Sequence, residues 1–296
     1  MSQWRLPGAV DDRHTFFAHA LALAAAHGPG PWPDGGYPIP EDTCQLWHED
    51  GQTRPLVGKG CAEVAAKVVE VIGGIVESPP DLPAVQRLHD LVPTAVMGVA
   101  IADRIAEGLA DADPDRLREI GRWLAQHGTR RDAVVPGIVL IGLGGAERDR
   151  ELLLLLGSLE DLAVYATTAL GRTQSDRDMA IFELAWRVRS WGRIHAVQRL
   201  EGTTVPEIND WLLRKGFRNA IGDEYLAHIA ATTGGLVDVL MKPEVDDELL
   251  DAAGDILAAL SIKEMSPKNI TSYREGPQAI EPDDEIKSAL TELLAA

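Results

Sequence analysis

The chain has 296 residues, of which 45% are hydrophobic and 25% charged, a composition typical of globular proteins with a substantial core. Its formal net charge of -18, from 28 basic and 46 acidic residues, argues against a general attraction to DNA or anionic membranes, because that attraction requires clustered Lys and Arg. Two cysteines, Cys44 and Cys61, are too few for a disulfide framework, and no signal-peptide or membrane-span pattern is present, so we expect a cytoplasmic protein.

The first predicted helix covers residues 11–27, with Asp11 and Asp12 as cap candidates. The composition then changes, because six Pro and six Gly interrupt the helical pattern between 28 and 58. Within this Pro/Gly-rich insert the Asp50-Gly51 pair predicts the turn of a β-hairpin. We expect residues 1–80 to cap the amino-terminal end of the fold; a lid over a binding groove is the alternative.

From residue 61 onward, apolar residues recur at helical spacing and strand patterns are nearly absent. The predicted helices cover 61–72, which Gly73 and Gly74 end, 84–108 with a bend at Pro93, 115–126, 131–142, 147–156, 159–170, 176–188, 191–200, 206–214, 223–232, 246–260 and 282–294. The sequence therefore predicts an all-α fold. Its main helical region spans 81–265 and is followed by an acidic carboxy-terminal segment, 266–296, which contains the last helix.

The helices recur with a period of about 30 residues, which indicates an internal repeat. Moving the chain by this distance aligns "VYATTALGRTQ" with "IHAVQRLEGTT" and pairs Ala166 with Ala196 and Leu170 with Leu200. The repeating units are 147–174, 175–204 and 205–236. Two short helices per unit, with small residues in the second, are typical of an α-solenoid.

These units resemble HEAT-like (armadillo-type) repeats over residues 115–260, whose second helices carry Arg, Ala and a Leu-Gly ending. Ala166, Leu170 and Gly171 match that pattern, whereas the second unit has its glycine displaced to Gly202. The resemblance implies a HEAT-like α-solenoid of antiparallel helix pairs, in which adjacent second helices line an inner, concave wall. It implies a fold and assigns no activity.

Several catalytic patterns are missing or incomplete. The run "IVLIGLGGAERDRE" could be a strand entering a phosphate-binding loop, but the third glycine of the fingerprint would fall at Glu147, whose carboxylate repels phosphate. We therefore expect a buried helix that ends at glycine. Cys44 close to His48 could form a thiol and base pair, although a half-buried structural Cys is the simpler interpretation. No metal-binding or cofactor-binding motif appears, so we expect neither a metal nor a cofactor.

Candidate binding residues lie between 191 and 228. In the predicted helix 191–200, Ile194, Val197 and Leu200 share one apolar face, which places the aromatic and basic side chains on another. The candidates are Trp191, Arg193, His195, Arg199, Trp211, Asp223, Tyr225 and His228.

The local charge suggests a kind of partner. Residues 187–218 contain seven basic and three acidic side chains, whereas the chain from residue 243 onward is strongly acidic. This basic section could bind an acidic patch on a partner, or its charges could pair within the chain. We expect a non-catalytic binding or scaffold protein that recognises a protein or peptide through its concave face, with nucleic acid an unlikely partner.

Two enzymatic alternatives remain open. His195 or His228, with Asp223 or Glu224, could perform acid and base chemistry on a small molecule. HEAT-like DNA glycosylases for alkylated bases share the expected architecture. The resemblance to that family implies a catalytic pattern in which a Trp is followed four residues later by an Asp. Neither Trp191 nor Trp211 has an Asp at that distance.

Overall fold

The computed structural model describes residues 14–37, 59–78, 82–91 and 99–261. Within these ranges the chain is helical and contains no strand, which confirms the predicted all-α class. The predicted β-hairpin, Cys44, His48 and the predicted helix 282–294 lie outside the described residues. By its internal contacts the chain divides into two compact units, Met1–Ala196 and Val197–Ala296.

The described helices of the first unit follow the predicted order. They are α1 Phe16–His27, α2 Lys59–Glu77, α3 Leu82–Leu91, α4 Val99–Gly108, α5 Pro114–His127, α6 Arg131–Gly144, α7 Arg150–Gly157, α8 Ala163–Thr173 and α9 Arg177–Arg187, followed by α10 Trp191–Gln198, whose last residues belong to the second unit. The helix predicted over 84–108 is described on both sides of Pro93, as α3 and α4, and residues 92–98 between them lie outside the described residues. The cap of α1 also differs from the prediction, because the Thr15 hydroxyl accepts the Ala18 N–H at 3.0 Å.

Helix α6 forms the centre of the first unit. Every residue from Asp132 to Gly142 is buried, as expected for a helix that is apolar on all sides. It contacts α3, α4, α5 and α8, while α8 also packs against α7 and α9. The run "IVLIGLGG" is therefore the end of a buried helix, as the sequence predicts.

Helices α5 and α6 touch through their backbones. A Cβ atom added to Gly121 would lie 2.7 Å from the Gly137 carbonyl oxygen, and one added to Gly137 would lie 2.8 Å from the Ala125 nitrogen. Real Cβ contacts are longer, so both positions require glycine for this helix separation.

A buried ionic cluster ties α5 to the short 3₁₀ helix that precedes α7. Asp149 is completely buried, and its Oδ1 accepts a hydrogen bond of 2.7 Å from Nη2 of Arg118. Arg118 Nε and Arg122 Nη1 donate to the same carboxylate. Because each charge has a partner, the cluster avoids the cost of an isolated buried ion and fixes where α7 begins.

The described part of the Pro/Gly-rich insert packs on the first unit. Trp32 is buried, and its Nε1 donates to the Gly28 carbonyl at 2.9 Å. The Ser158 hydroxyl donates to the Pro29 carbonyl at 3.3 Å, and the backbone at Gly30 lies against the backbone of Arg187. Residues 28–31 therefore lie against the ends of α7 and α9.

The second unit is built around an interrupted helix. α11 Pro206–Trp211 continues into a π-helical turn, Leu212–Gly216, which contacts α12 Glu224–Thr233 and α14 Asp247–Leu260. A short helix that the sequence does not predict, α13 Leu236–Leu240, packs on α12. The Asp246 side chain caps α14 by accepting the Leu249 N–H at 2.9 Å.

The contact between α5 and α6 predicts opposite effects for two helical glycines. Gly121→Ala should lower the free energy of unfolding by about 1–3 kcal/mol, because its methyl group enters occupied space. Gly74→Ala, in α2, should raise it by about 0.5–1 kcal/mol, because no atom lies within 4 Å of a Cβ there and alanine favours the helix. Urea unfolding of the two variants measures both effects, and equal stabilities would contradict the close helix contact.

Candidate functional site

Three of the predicted site residues lie at the end of the first unit. Trp191, Arg193 and His195 are half-buried residues of α10, whereas Ile194 on the same helix is buried, as its predicted packing role requires. The remaining five lie in the second unit. The predicted site residues are therefore divided between the two units.

A buried carboxylate fixes the start of α10. The Oε1 atom of Glu160 accepts the N–H groups of Arg189 and Ser190 at 2.6 and 3.1 Å, and its Oε2 accepts the Gly192 N–H at 2.8 Å. These N–H groups have no partner within the helix, so the carboxylate satisfies them and its charge interacts favourably with the helix dipole. A Cβ at Gly192 would lie 2.6 Å from Oε2, which requires glycine at this position.

The guanidinium of Arg193 connects α10 to the end of α9. Its Nε donates to the carbonyl oxygens of Ala185 and Val188 at 3.2 and 2.9 Å. Burial lowers the pKa of Arg193, and the nearby Glu160 carboxylate partly opposes that shift. This side chain thus contributes to local structure.

The predicted residues of the second unit differ in exposure. Arg199 is exposed in the turn after α10, while Trp211 is buried with its ring against Gly216, a position suited to packing. Tyr225 and His228 are half-buried on α12, and burial, with a smaller effect of the Glu224 charge, raises the pKa of Tyr225.

The Asp223 carboxylate also has a local role. Its Oδ1 accepts the Asn219 N–H at 2.8 Å in the turn before α12. Asp223 thereby stabilises the approach to this helix.

Much of the basic section is neutralised within its own unit. Arg214 donates to both oxygens of Asp246 at 2.7 Å and to Asp210 at 2.9 Å, and these bonds raise the pKa of Arg214. Arg218 pairs with Asp255 at 2.7 Å. Arg214 and Arg218 therefore pair with carboxylates of the same chain at the acidic helix α14, which is the second of the two interpretations of the basic section.

The same pairing occurs in the first unit at α9. Nη2 of Arg187 donates to Glu183 at 2.5 Å, one turn earlier on the helix. Arg150 bonds both Glu183 and Asp176, so this surface combines cations with carboxylates. A high local count of Arg in the sequence thus overstates the positive charge offered to a partner.

A small cleft opens between α4 and α8 in the first unit, with α6 as its floor. Most of its lining side chains are small or apolar, and its interior volume is ≈ 20 Å³, room for about one or two water molecules. The lining residues are Ala102, Asp103, Val139, Gly142, Val164, Tyr165, Thr168, Ala169 and Arg172. Asp103 and Arg172 are exposed, so opposite charges lie on its two walls.

Tyr165 connects the cleft to a buried cation. Its hydroxyl accepts a hydrogen bond of 3.4 Å from Arg131 Nη2, and the guanidinium carbon lies 5.7 Å from the ring centroid. Burial opposes the charge of Arg131, but Tyr165 and Asp161 outweigh it and raise the pKa of Arg131. These contacts fix the Tyr165 ring at the cleft.

Trp186 is an exposed aromatic residue that the sequence reasoning did not select. Its exposed fraction is 46%. Its ring centroid lies 6.3 Å from that of Phe182, in an edge-to-face arrangement. Helical spacing could not identify it, because that spacing places Trp186 on the same face of α9 as Phe182, which is buried.

Two further classes of feature are a metal-binding cluster and a membrane-spanning helix. In the described ranges, His, Cys, Asp and Glu side chains do not form a group of three or more that could hold a metal ion. No helix of the described residues combines the length and apolar character needed to cross a membrane.

No family model, curated protein or solved structure matches this chain.

The Arg214 cluster predicts an acid-dependent loss of stability. Its hydrogen bonds, with the Leu249 N–H, lower the pKa of Asp246 to about 2, below the value of about 3.9 in an unfolded chain. A lowered folded-state pKa stabilises the fold above about pH 4, and this stabilisation disappears as the pH falls towards about 2.

We expect the thermal midpoint of Arg214→Met to lie below that of the wild type at neutral pH and to converge with it near pH 2. Arg104→Met removes an exposed cation of α4 and serves as the control. A midpoint difference between wild type and Arg214→Met that is independent of pH would contradict the assignment.

Proposed function

We propose that this chain is a non-catalytic binding protein of the HEAT-like type, which recognises a protein or peptide partner on the face formed by α4 and α8. The cleft between these helices carries the proposal. Its volume suits one short aliphatic side chain of a partner, and Val139 and Gly142 of the buried α6 provide a firm floor.

The order of helix contacts supports the HEAT-like part of the proposal. α2 contacts α4, α4 contacts α6 and α6 contacts α8, so alternate helices pack on one another, as second helices do in stacked repeats. α8 is the second helix of the first unit of the internal repeat. The cleft therefore involves the helix layer expected to recognise partners.

Charge at the cleft supports recognition of a polypeptide. Asp103 on α4 and Arg172 on α8 are both exposed, so a bound segment can pair a basic side chain with one wall and an acidic side chain with the other. Such peripheral charges direct orientation more than they add affinity. The exposed Trp186 on α9 offers a further contact of the type that often dominates binding energy.

The residues selected from the sequence remain secondary candidates. Trp191, His195, Tyr225 and His228 are half-buried and therefore retain some accessible surface, and Arg199 is exposed. Each can add to the contact that a partner makes with the unit to which the residue belongs.

Two matched threonines test the proposal. The Thr168 hydroxyl donates to the Val164 carbonyl at 3.0 Å beside the cleft, and the Thr232 hydroxyl donates to the His228 carbonyl at 2.8 Å on α12. Each is the same helical bond to the residue four positions earlier. Replacement by Leu therefore has similar local consequences, but Thr168→Leu alone fills the cleft.

We expect Thr168→Leu to reduce recovery of the native partner about ten-fold, because overpacking a matched contact costs about 1–3 kcal/mol. The amount of partner recovered is measured by quantitative mass spectrometry after affinity purification from the native cells. Thr232→Leu should recover the partner as the wild type does. Full recovery with Thr168→Leu would contradict the proposal, and a selective loss with Thr232→Leu would move the site to α12.

A further inference from the structure

One face of α13 is apolar and only partly covered. Leu236 is buried and anchors the helix, but Val237 and Leu240 are half-buried and Met241 is 70% exposed. The Met241 N–H donates to the Val237 carbonyl at 3.1 Å, so the helical turn continues through Met241. Val237, Leu240 and Met241 then share one face at helical spacing, and we call this surface the α13 patch.

An exposed apolar face on a short helix is a characteristic of docking surfaces. Large hydrophobic side chains in water gain free energy when a partner covers them. Methionine is well suited to this role, because its flexible and polarisable side chain adapts to different partners.

The charges around the α13 patch are predominantly negative. Asp238, Glu244 and Asp247 are exposed, and the nearby basic side chain in the same stretch is Lys242. Asp246 and Glu248 follow, but both bond Arg214. The edge of the patch therefore presents more free carboxylate than cation.

Charge selects among the possible occupants. A second copy of this chain would bring another net charge of -18 to the same acidic edge. Residues 262–296 of the chain also carry more carboxylates than basic side chains. Neither brings a net positive charge, whereas a segment that carries apolar residues on one face and Lys or Arg beside them is complementary to the patch in apolar character and in charge.

We propose that the α13 patch docks a cationic amphipathic segment of a partner protein. Apolar contacts with Met241 and Leu240 provide the affinity, and Asp238 and Glu244 select the positive charge. This surface lies in the second unit and is independent of the proposed cleft, so either site can fail without the other.

The test uses two labelled peptides of about 14 residues, one of Leu and Lys and one of Leu and Glu, each with its Leu residues at helical spacing. Fluorescence anisotropy with the full chain measures binding. The Leu/Lys peptide should bind more tightly at low than at physiological ionic strength, and the Leu/Glu peptide should not bind.

Met241→Ser should weaken binding of the Leu/Lys peptide about five-fold, because it removes most of the exposed apolar surface. Leu21→Ser changes a residue of similar character on α1, 47% exposed, and should leave binding unchanged. Asp238→Asn should reduce the dependence of binding on salt.

Three results would overturn the proposal. They are equal affinity for wild type and Met241→Ser, equal affinity for the two peptides, and a dimer in analytical ultracentrifugation that Met241→Ser dissociates. The last result would assign the patch to a second copy of the chain.

Discussion

The close contact between α5 and α6 determines the organisation of the first unit. Gly121 and Gly137 remove the side chains that would hold the two backbones apart, which allows α6 to be enclosed on every side. Once α6 occupies the centre, α4 and α8 pack on it and also touch each other. The shallow cleft is the space that remains between them, so its depth follows from the position of α6 and from the small side chains at Gly142 and Ala169.

Charge pairing controls what the surface offers to a partner. Arg187, Arg214 and Arg218 belong to the basic stretch of the sequence, yet each bonds a carboxylate of its own unit. Arg214 reaches Asp246, which is 32 residues later in the chain. Such pairs depend on tertiary packing, so local charge counts predict them poorly. With 28 basic and 46 acidic residues, the whole chain has more carboxylates than cations to pair with them.

Much of the helical fold is predictable from the sequence. The apolar periodicity predicts α2, α5, α7 to α12 and α14 because each buries one face, and a continuous apolar run predicts α6; both signals are local. Between α3 and α4, Pro93 is compatible with either a bend or a break, and it lies outside the described residues. The π-helical turn and α13 were missed, since neither has a distinctive spacing over so few residues.

The candidate site was much less predictable. The packing role of Ile194 followed from its spacing, but Trp191 and His195 are half-buried and Trp211 is buried. The cleft joins residues of three helices that are far apart in sequence, and its position depends on how those helices pack. Glu160 is a similar case, because its contacts with the N–H groups of Arg189 and Gly192 bridge about 30 residues. A single sequence contains no local signal for such contacts.

Hydrogen exchange across the first unit tests the central position of α6 most directly. If α6 is the enclosed helix on which the cleft is built, the amides of Ile138 to Ile141 should be the slowest to exchange, and only through global unfolding of the unit. Their exchange free energy should then equal the unfolding free energy measured with denaturant. Faster exchange in α6 than in α4 and α8 would contradict this account.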